Sequence, residues 1–270
     1  MCGIIGYTGN KPAKDIILSG LSRLEYRGYD SSGLAIYNNG SHPKILKSAG
    51  KISELSELVS QTTVEGTTGI GHTRWATHGP PTQANAHPHQ DCAHEISIVH
   101  NGIVENFKEL KSDLEKKGHT FESDTDTECI PHLIEQYLKD GNDLLESIRK
   151  TAKALHGANA ILAVHKNNPD TIIAFRLGYA GGLVIGNAND EMLIASDLPA
   201  ITPYTNNVAY IEPGEIASIN PVSASFYSID GKSISKKFVI TPRNQIDSGK
   251  GKYRHYMLKE INQQPESIMQ

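Results

Sequence analysis

Cysteine is scarce in this chain. Cys2, Cys92 and Cys129 are the only three in 270 residues. They are too few for a disulfide framework and lack the Cys-x-x-Cys spacing of a metal knuckle, a usage that fits a reducing compartment. No apolar run is long enough to span a bilayer, and the N-terminal Met-Cys-Gly-Ile-Ile-Gly carries neither the basic region nor the apolar stretch of a leader. The expected location is the cytoplasm, with no membrane partner. An excess of one charge is also missing: 26 Lys and Arg stand against 30 Asp and Glu, for a net charge of −4. The basic residues are scattered, so no nucleic-acid footprint is expected. Internal repeats and low-complexity tracts are absent too.

What is present is the composition of an ordinary folding chain, with a length suited to one large domain and a short appendage. Gly3 to Thr8 reads as a buried strand. Ile16, Ile17, Leu21 and Leu24 fall at helical spacing between Pro12 and Gly28. Asn38-Asn39-Gly40 predicts a hairpin between Gly33–Tyr37 and Ile45–Lys47, and Ile52, Leu55, Leu58 and Val59 resume the helical period. Strands over 70–75 and 95–100 enclose a long loop rich in Pro, His and Thr, and loops of that length usually carry function. Helices follow over 107–116, 128–138 and 144–155, then a run of short strands from Ala158 to Phe238. Segregated helices and strands predict an α+β fold of antiparallel sheets with helices packed outside. A domain over 2–240 is expected to give way to a polar linker containing Pro242, Asn244, Ser248, Gly249 and Gly251. A helical segment from Tyr253 follows, the appendage running over 241–270.

Four motifs carry residues suited to chemistry. Cys2 is small enough to permit removal of Met1, which would leave a thiol and a free α-amine on one residue. Their ordinary pKa values, about 8.5 and about 7.7 to 8.0, allow proton exchange near neutrality. On its own, Cys2 reads equally well as a cysteine opening a buried strand. Gly71-His72-Thr73-Arg74-Trp75-Ala76-Thr77-His78-Gly79 places Arg74 at a strand end, where it can grip a carboxylate or form a surface ion pair. His100-Asn101-Gly102 is either a turn or a pair of oxyanion donors, the Asn101 amide and the Gly102 N–H. Ser123-Asp124-Thr125-Asp126-Thr127-Glu128 is either a helix cap or a site for an amine. The histidines leave a rival class open, a zinc hydrolase built on His87-Pro88-His89, although no His-Glu-x-x-His occurs.

These motifs together with Glu25-Tyr26-Arg27-Gly28-Tyr29-Asp30-Ser31-Ser32-Gly33 and Asn85-Ala86-His87-Pro88-His89 resemble, in order and number, the class II glutamine amidotransferases. The resemblance implies the N-terminal nucleophile hydrolase fold, a four-layer αββα sandwich of two antiparallel sheets. It implies L-glutamine as substrate, with neither metal nor organic cofactor. Cys2 matches the nucleophile, Asn101 and Gly102 the oxyanion hole, Arg74 the ligand of the glutamine carboxylate, and Asp126 that of its ammonium. Thr77, His78 and His87 fall at glutamine-site positions. Arg27 and Asp30 match residues that support the nucleophile strand, and Trp75 one that gates ammonia. Tyr253 to Ile261 is similar to the interdomain segment of members that continue into two sugar-phosphate isomerase domains and assemble as homo-oligomers. A sugar phosphate is therefore a partner only through an isomerase part outside this sequence, and the chain alone is expected to act as a glutaminase. Arg176 to Leu183 departs from the family pattern by lacking Ser-Pro. A module that binds glutamine without turning it over is the remaining alternative.

Overall fold

The computed structural model describes residues 2–38, 41–242, 252–254 and 256–269. In chain order the elements are β1 (Gly3–Thr8), α1 (Ala13–Leu24), β2 (Ser31–Tyr37), β3 (Lys44–Ala49), α2 (Ile52–Ser60), β4 (Thr68–Arg74), β5 (His89–Gln90) and β6 (Ile96–Gly102). Then come α3 (Phe107–Lys116), α4 (Cys129–Lys139), α5 (Leu144–Ala154), β7 (Asn159–His165), β8 (Ile172–Leu177), β9 (Leu183–Asn187) and β10 (Met192–Ala195). β11 (Asn207–Ile211), β12 (Glu215–Asn220), β13 (Ser223–Ser228), β14 (Ser233–Ile234), β15 (Val239–Ile240) and α6 (Tyr256–Met269) complete the chain. The expected tail helix is present as α6. The Asn39-Gly40 turn and the linker residues Asn244, Ser248, Gly249 and Gly251 lie outside the described residues.

Two antiparallel sheets form the middle of the molecule, one of eight strands in the order β15-β11-β9-β10-β1-β4-β2-β3 and one of seven in the order β14-β13-β12-β8-β7-β6-β5. The predicted hairpin is the β2–β3 pair, in register from Ser31 opposite Ala49 to Ile36 opposite Lys44. Three apolar clusters define the layers. The first joins Ile5, Tyr7 and Leu34 to Ile17 and Leu21 of α1 and Leu55 of α2, on the outer face of the eight-stranded sheet. A second, with Ile4, Ile70, Val99, Leu162 and Ile194, fills the space between the sheets. Ile96, Ile98, Ile161 and Phe175 meet Ile130, Ile134 and Ile148 of α4 and α5 in the third, on the far side of the seven-stranded sheet. The result is the αββα sandwich expected above.

Strand periodicity explains why β1 is buried throughout and largely apolar. Successive side chains point to opposite faces, and here both faces are covered, Ile5 and Tyr7 by helices and Ile4 by the other sheet. Full burial of each such side chain is worth about 1.5–3 kcal/mol. α1 rests close on this strand because Gly20 has no side chain: a Cβ there would lie 2.0 Å from Cδ1 of Ile5. α5 starts at Asp143, whose carboxylate accepts the Glu146 N–H at 2.8 Å, an N-cap that satisfies one of the free amides of the first turn.

The same period aims the polar residues. Ile70 packs between the sheets, so His72 and Arg74, two and four residues on, face the same interior. Val99 also packs there, so Asn101 meets them from the opposite sheet. Ile96 and Ile98 face the helices, which turns His100 toward the segment leading into α4.

Candidate active site

Cys2 stands just before β1, and its Sγ accepts the Trp75 N–H at 3.2 Å. Burial raises the thiol pKa, while the Trp75 backbone and the positive charges of Arg74 and Arg27 pull it down. The Cys2 carbonyl is held from two sides, by Arg27 Nε at 3.0 Å and Asn101 Nδ2 at 3.1 Å. Arg27 is in turn anchored to Asp197 at 3.0 Å. Asp30 acts on a different segment: its carboxylate accepts the Ala76 N–H at 2.8 Å, fixing the chain as it leaves β4. One residue steadies the cysteine and the other steadies the loop that covers it.

A cavity of about 450 Å³ opens beside Cys2, walled by Trp75, Thr77, Asn101 and Gly102 among others. It is large enough for an amino-acid side chain with its α-carbon groups. Trp75 is 46% exposed at its mouth, with the Tyr29 ring edge-on at 5.9 Å. Gly102 has φ +138°, and a Cβ at that position would lie 2.2 Å from the Ala158 carbonyl oxygen. Glycine is thus required at this point of the cavity wall. The divergent 176–183 stretch also contributes: Ala180 is part of the wall, while Tyr179 projects into solvent at 85% exposure.

Arg74, His78, His87 and Asp126 do not line this cavity. The Arg74 guanidinium is buried and donates to the carbonyls of His78, Gly79 and Pro80, so it holds the 78–80 turn. Asp126 accepts the Val104 N–H at 2.7 Å, and its other oxygen lies 3.9 Å from His78 Nδ1. His87 is buried, its ring stacked on His72 with centroids 4.1 Å apart.

A layer that the sequence motifs did not disclose lies behind Asn101. His72 Nε2 lies 2.9 Å from the His100 carbonyl and 3.2 Å from Asn101 Oδ1. Asn159 Nδ2 donates to the Gly157 carbonyl at 3.0 Å, leaving its Oδ1 to accept from His100 Nε2 at 2.8 Å. His100 Nδ1 then accepts the Thr127 hydroxyl at 2.9 Å, and Thr127 Oγ1 accepts His87 Nε2–H at 3.2 Å. Burial drives the pKa of His72 down to about 3 and those of His87, His89 and His100 below the ordinary value. These imidazoles are neutral, rigid donors and acceptors. The alternation of β4 and β6 was the available signal, since it turns His72 inward beside Asn101.

The zinc-hydrolase alternative is not favoured. His87 and His89 spend their Nε2 atoms on Thr127 and Thr125, each at 3.2 Å. Among the described residues, the group of metal-ligating side chains that converges is Cys92, His119, His132 and Glu135, none of which lines the Cys2 cavity.

Comparison with known proteins agrees with this geometry. The family described as glutamine amidotransferase domain matches residues 72–203. The glutamine–fructose-6-phosphate aminotransferase (isomerizing) of Aquifex aeolicus is 46% identical over 270 residues, covering 99% of this chain and 44% of that protein. Its counterpart in Thermococcus kodakarensis is 46% identical over 273 residues, again 99% of this chain and 44% of the relative. The chain thus spans less than half the length of these curated relatives. Among solved structures, the glutamine phosphoribosylpyrophosphate amidotransferase of B. subtilis superposes with a TM-score of 0.73 at 28% identity, over 84% of this chain and 49% of that one. A glutamine aminotransferase class-II domain protein from Silicibacter pomeroyi shares the fold, with a TM-score of 0.58 at 15% identity over 84% of this chain and 99% of that one. With its αββα sandwich and a Cys2 cavity bordered by Asn101 and Gly102, this chain belongs to the class II glutamine amidotransferases.

Proposed function

We propose that Cys2 hydrolyses L-glutamine through a thioester and that the ammonia released serves amino-sugar synthesis. The observation that supports the chemistry is that Cys2, Asn101 and Gly102 line one cavity, with the Asn101 amide held between the Cys2 carbonyl and His72. The Cys2 thiolate attacks the side-chain amide carbon. The developing oxyanion takes one N–H from Asn101 Nδ2, whose other hydrogen stays on the Cys2 carbonyl, and one from Gly102. Collapse expels ammonia, which takes up the proton originally on the thiol, and water then cleaves the thioester to glutamate. The base in this reading is the α-amine of Cys2, free once Met1 has been removed. Met1 lies outside the described residues.

Arg74 and Asp126 take the substrate carboxylate and ammonium by turning part of their hydrogen bonding from the 78–80 turn and Val104 to the ligand. Thr77 and His78 border the same region. His87 serves from behind through His72 rather than by contact. Trp75 covers the exit for ammonia.

The near-half identity with glutamine–fructose-6-phosphate aminotransferases across 99% of the chain supports fructose 6-phosphate as the eventual acceptor. In this reading residues 2–240 make ammonia, 241–270 lead toward a sugar-phosphate isomerase part, and the longer protein works as a cytoplasmic homo-oligomer. The test is to quantify ammonia, glutamate and amino sugar from the purified chain with and without fructose 6-phosphate. Equal glutamate and ammonia with no amino sugar is the expected result. Glucosamine 6-phosphate made by the chain alone overturns the division of labour, and glutamine binding without turnover overturns the hydrolase.

A further inference from the structure

Cys92, just beyond β5, His119, in the link after α3, and His132 and Glu135, one turn apart on α4, bring one ligand atom each to within 4.8 Å of one another. Cys92 Sγ lies 3.6 Å from His119 Nδ1 and 3.5 Å from His132 Nδ1. Glu135 Oε2 lies 3.0 Å from His119 Nδ1 and 3.5 Å from His132 Nδ1. A tetrahedral zinc ion, with bonds of about 2.3 Å to sulfur and about 2.0–2.2 Å to nitrogen and oxygen, requires ligand atoms roughly 3.3–3.6 Å apart. Three of these four contacts, at 3.5–3.6 Å, already match that separation, the fourth is shorter at 3.0 Å, and all the ligand atoms lie within 4.8 Å.

The hydrogen bonds outside the cluster decide which atoms are free to bind. Gln136 Nε2 donates to Asp140 at 2.8 Å, so its Oε1 is the end that meets His119 Nε2 at 3.1 Å. That oxygen can only accept, which puts the proton of a neutral His119 on Nε2 and leaves a lone pair on Nδ1. The lone pair faces a carboxylate oxygen at 3.0 Å, two acceptors in contact, an arrangement completed by either a metal cation or a second ring proton between them. His132 Nε2 lies 3.6 Å from Glu128 Oε1, beyond hydrogen-bond reach. Glu135 keeps Oε1 on Lys139 at 2.7 Å and turns Oε2 inward, where it also accepts the Cys92 N–H at 3.2 Å. Partners on the far side, as at His119 and Glu135, are how metal sites fix the orientation of their ligands. Three of the ligands are buried and Cys92 reaches the surface, which gives an ion a way in.

We propose that Cys92, His119, His132 and Glu135 form a structural zinc site, separate from the glutamine cavity. Four protein ligands leave no open position for substrate, so the ion acts as a bolt rather than a catalyst. It ties the turn after β5 and the α3–α4 link to α4, directly behind the 123–128 segment that presents Asp126 and Thr127.

Zinc content of the purified chain is to be measured by mass spectrometry of the metal, before and after equilibration with zinc alone, together with the thermal midpoint. One zinc per chain is expected, retained in Cys2→Ala and lost in Cys92→Ser and His119→Gln. Cobalt substituted for zinc in the Cys2→Ala chain should show a thiolate charge-transfer band, and zinc should protect Cys92 from alkylation mapped by peptide mass. These two readouts stand even if a ligand variant fails to fold. Substoichiometric zinc with no shift of the midpoint would leave only a protonated ion-pair cluster and overturn the proposal. So would stoichiometric zinc that survives both ligand substitutions.

Discussion

His72 Nε2 donates to Asn101 Oδ1 at 3.2 Å, and this settles which end of the Asn101 amide faces Cys2. The ring has no freedom in the matter, because the His100 carbonyl, its other neighbour at 2.9 Å, can also only accept. Burial holds its pKa down to about 3, so the tautomer is unchanged across the physiological range.

In the proposed mechanism His72 orients an oxyanion donor without touching substrate, and that arrangement has a kinetic signature. Asn101→Ala should lower kcat by about 10²- to 10³-fold with little change in KM. His72→Ala should lower kcat less, and the double variant should be no worse than Asn101→Ala alone, since both remove one function. Steady-state glutaminase kinetics on the three variants decide it. Multiplying losses would dissociate the two residues.

Gly102→Ala should be costly in both stability and turnover. The left-handed backbone alone costs of order 1–3 kcal/mol for a residue with a side chain, and the added methyl meets the Ala158 carbonyl oxygen at 2.2 Å. Urea denaturation and kcat should fall together. An unchanged kcat in this variant would remove the Gly102 N–H from the reaction.

Arg74→Ala should do two things at once, because the guanidinium holds the carbonyls of His78, Gly79 and Pro80. KM for glutamine should rise strongly, and amide exchange over residues 75–82 should quicken in the absence of substrate. A raised KM with unchanged exchange would mean that the turn holds itself.

The buried histidines predict acid sensitivity. His72, His87, His89 and His100 are neutral in the fold because burial disfavours the charged ring, with Arg74 and Lys47 adding to that effect for some of them and Asp126 and Glu128 opposing it for His100 and His89. Once unfolded, each takes a proton near pH 6.5. Stability is therefore complete above about pH 6.5 and declines as pH falls, by about 1.4 kcal/mol per pH unit for each ring still neutral in the fold. Urea midpoints from pH 7.5 to 5 should show the slope, and His72→Gln should reduce it by one histidine's share.

Only one of the three thiols should react with an electrophilic glutamine analogue. Cys129 is buried and its pKa pushed up to about 12 by that burial, and Cys92 lies outside the cavity. Cys2→Ala should abolish turnover while glutamine still binds, and a form blocked at the Cys2 nitrogen should be inactive. Intact and peptide mass analysis identifies the labelled residue and the state of the N-terminus. Full activity in a chain that retains Met1 would exclude the amine as base.

The layered fold was legible because its causes are local: Ile16, Ile17, Leu21 and Leu24 repeat at helical spacing, and α3 begins and ends where its pattern does, at Phe107 and Lys116. Cys2, Thr77, Asn101 and Gly102 could be picked out because few roles suit them, and they do meet at one cavity. His87 was harder to place. Nothing in a linear pattern says that its ring lies flat against His72 and gives its Nε2 to Thr127. Cys92, His119 and His132 were invisible for the same reason: they come from three segments that only folding brings together, whereas spacing rules detect ligands that share one.

Trp75 is the single tryptophan of the chain, half-exposed at the mouth of the Cys2 cavity and edge-on to Tyr29. The ultraviolet emission of the whole protein at long wavelength therefore arises from one indole lining the same cavity as Cys2. Every arrival of substrate, swing of the 75–82 turn or departure of product should pass through that signal, so stopped-flow fluorescence of the unlabelled chain gives a clock for the site, and a Trp75→Phe chain supplies the dark control.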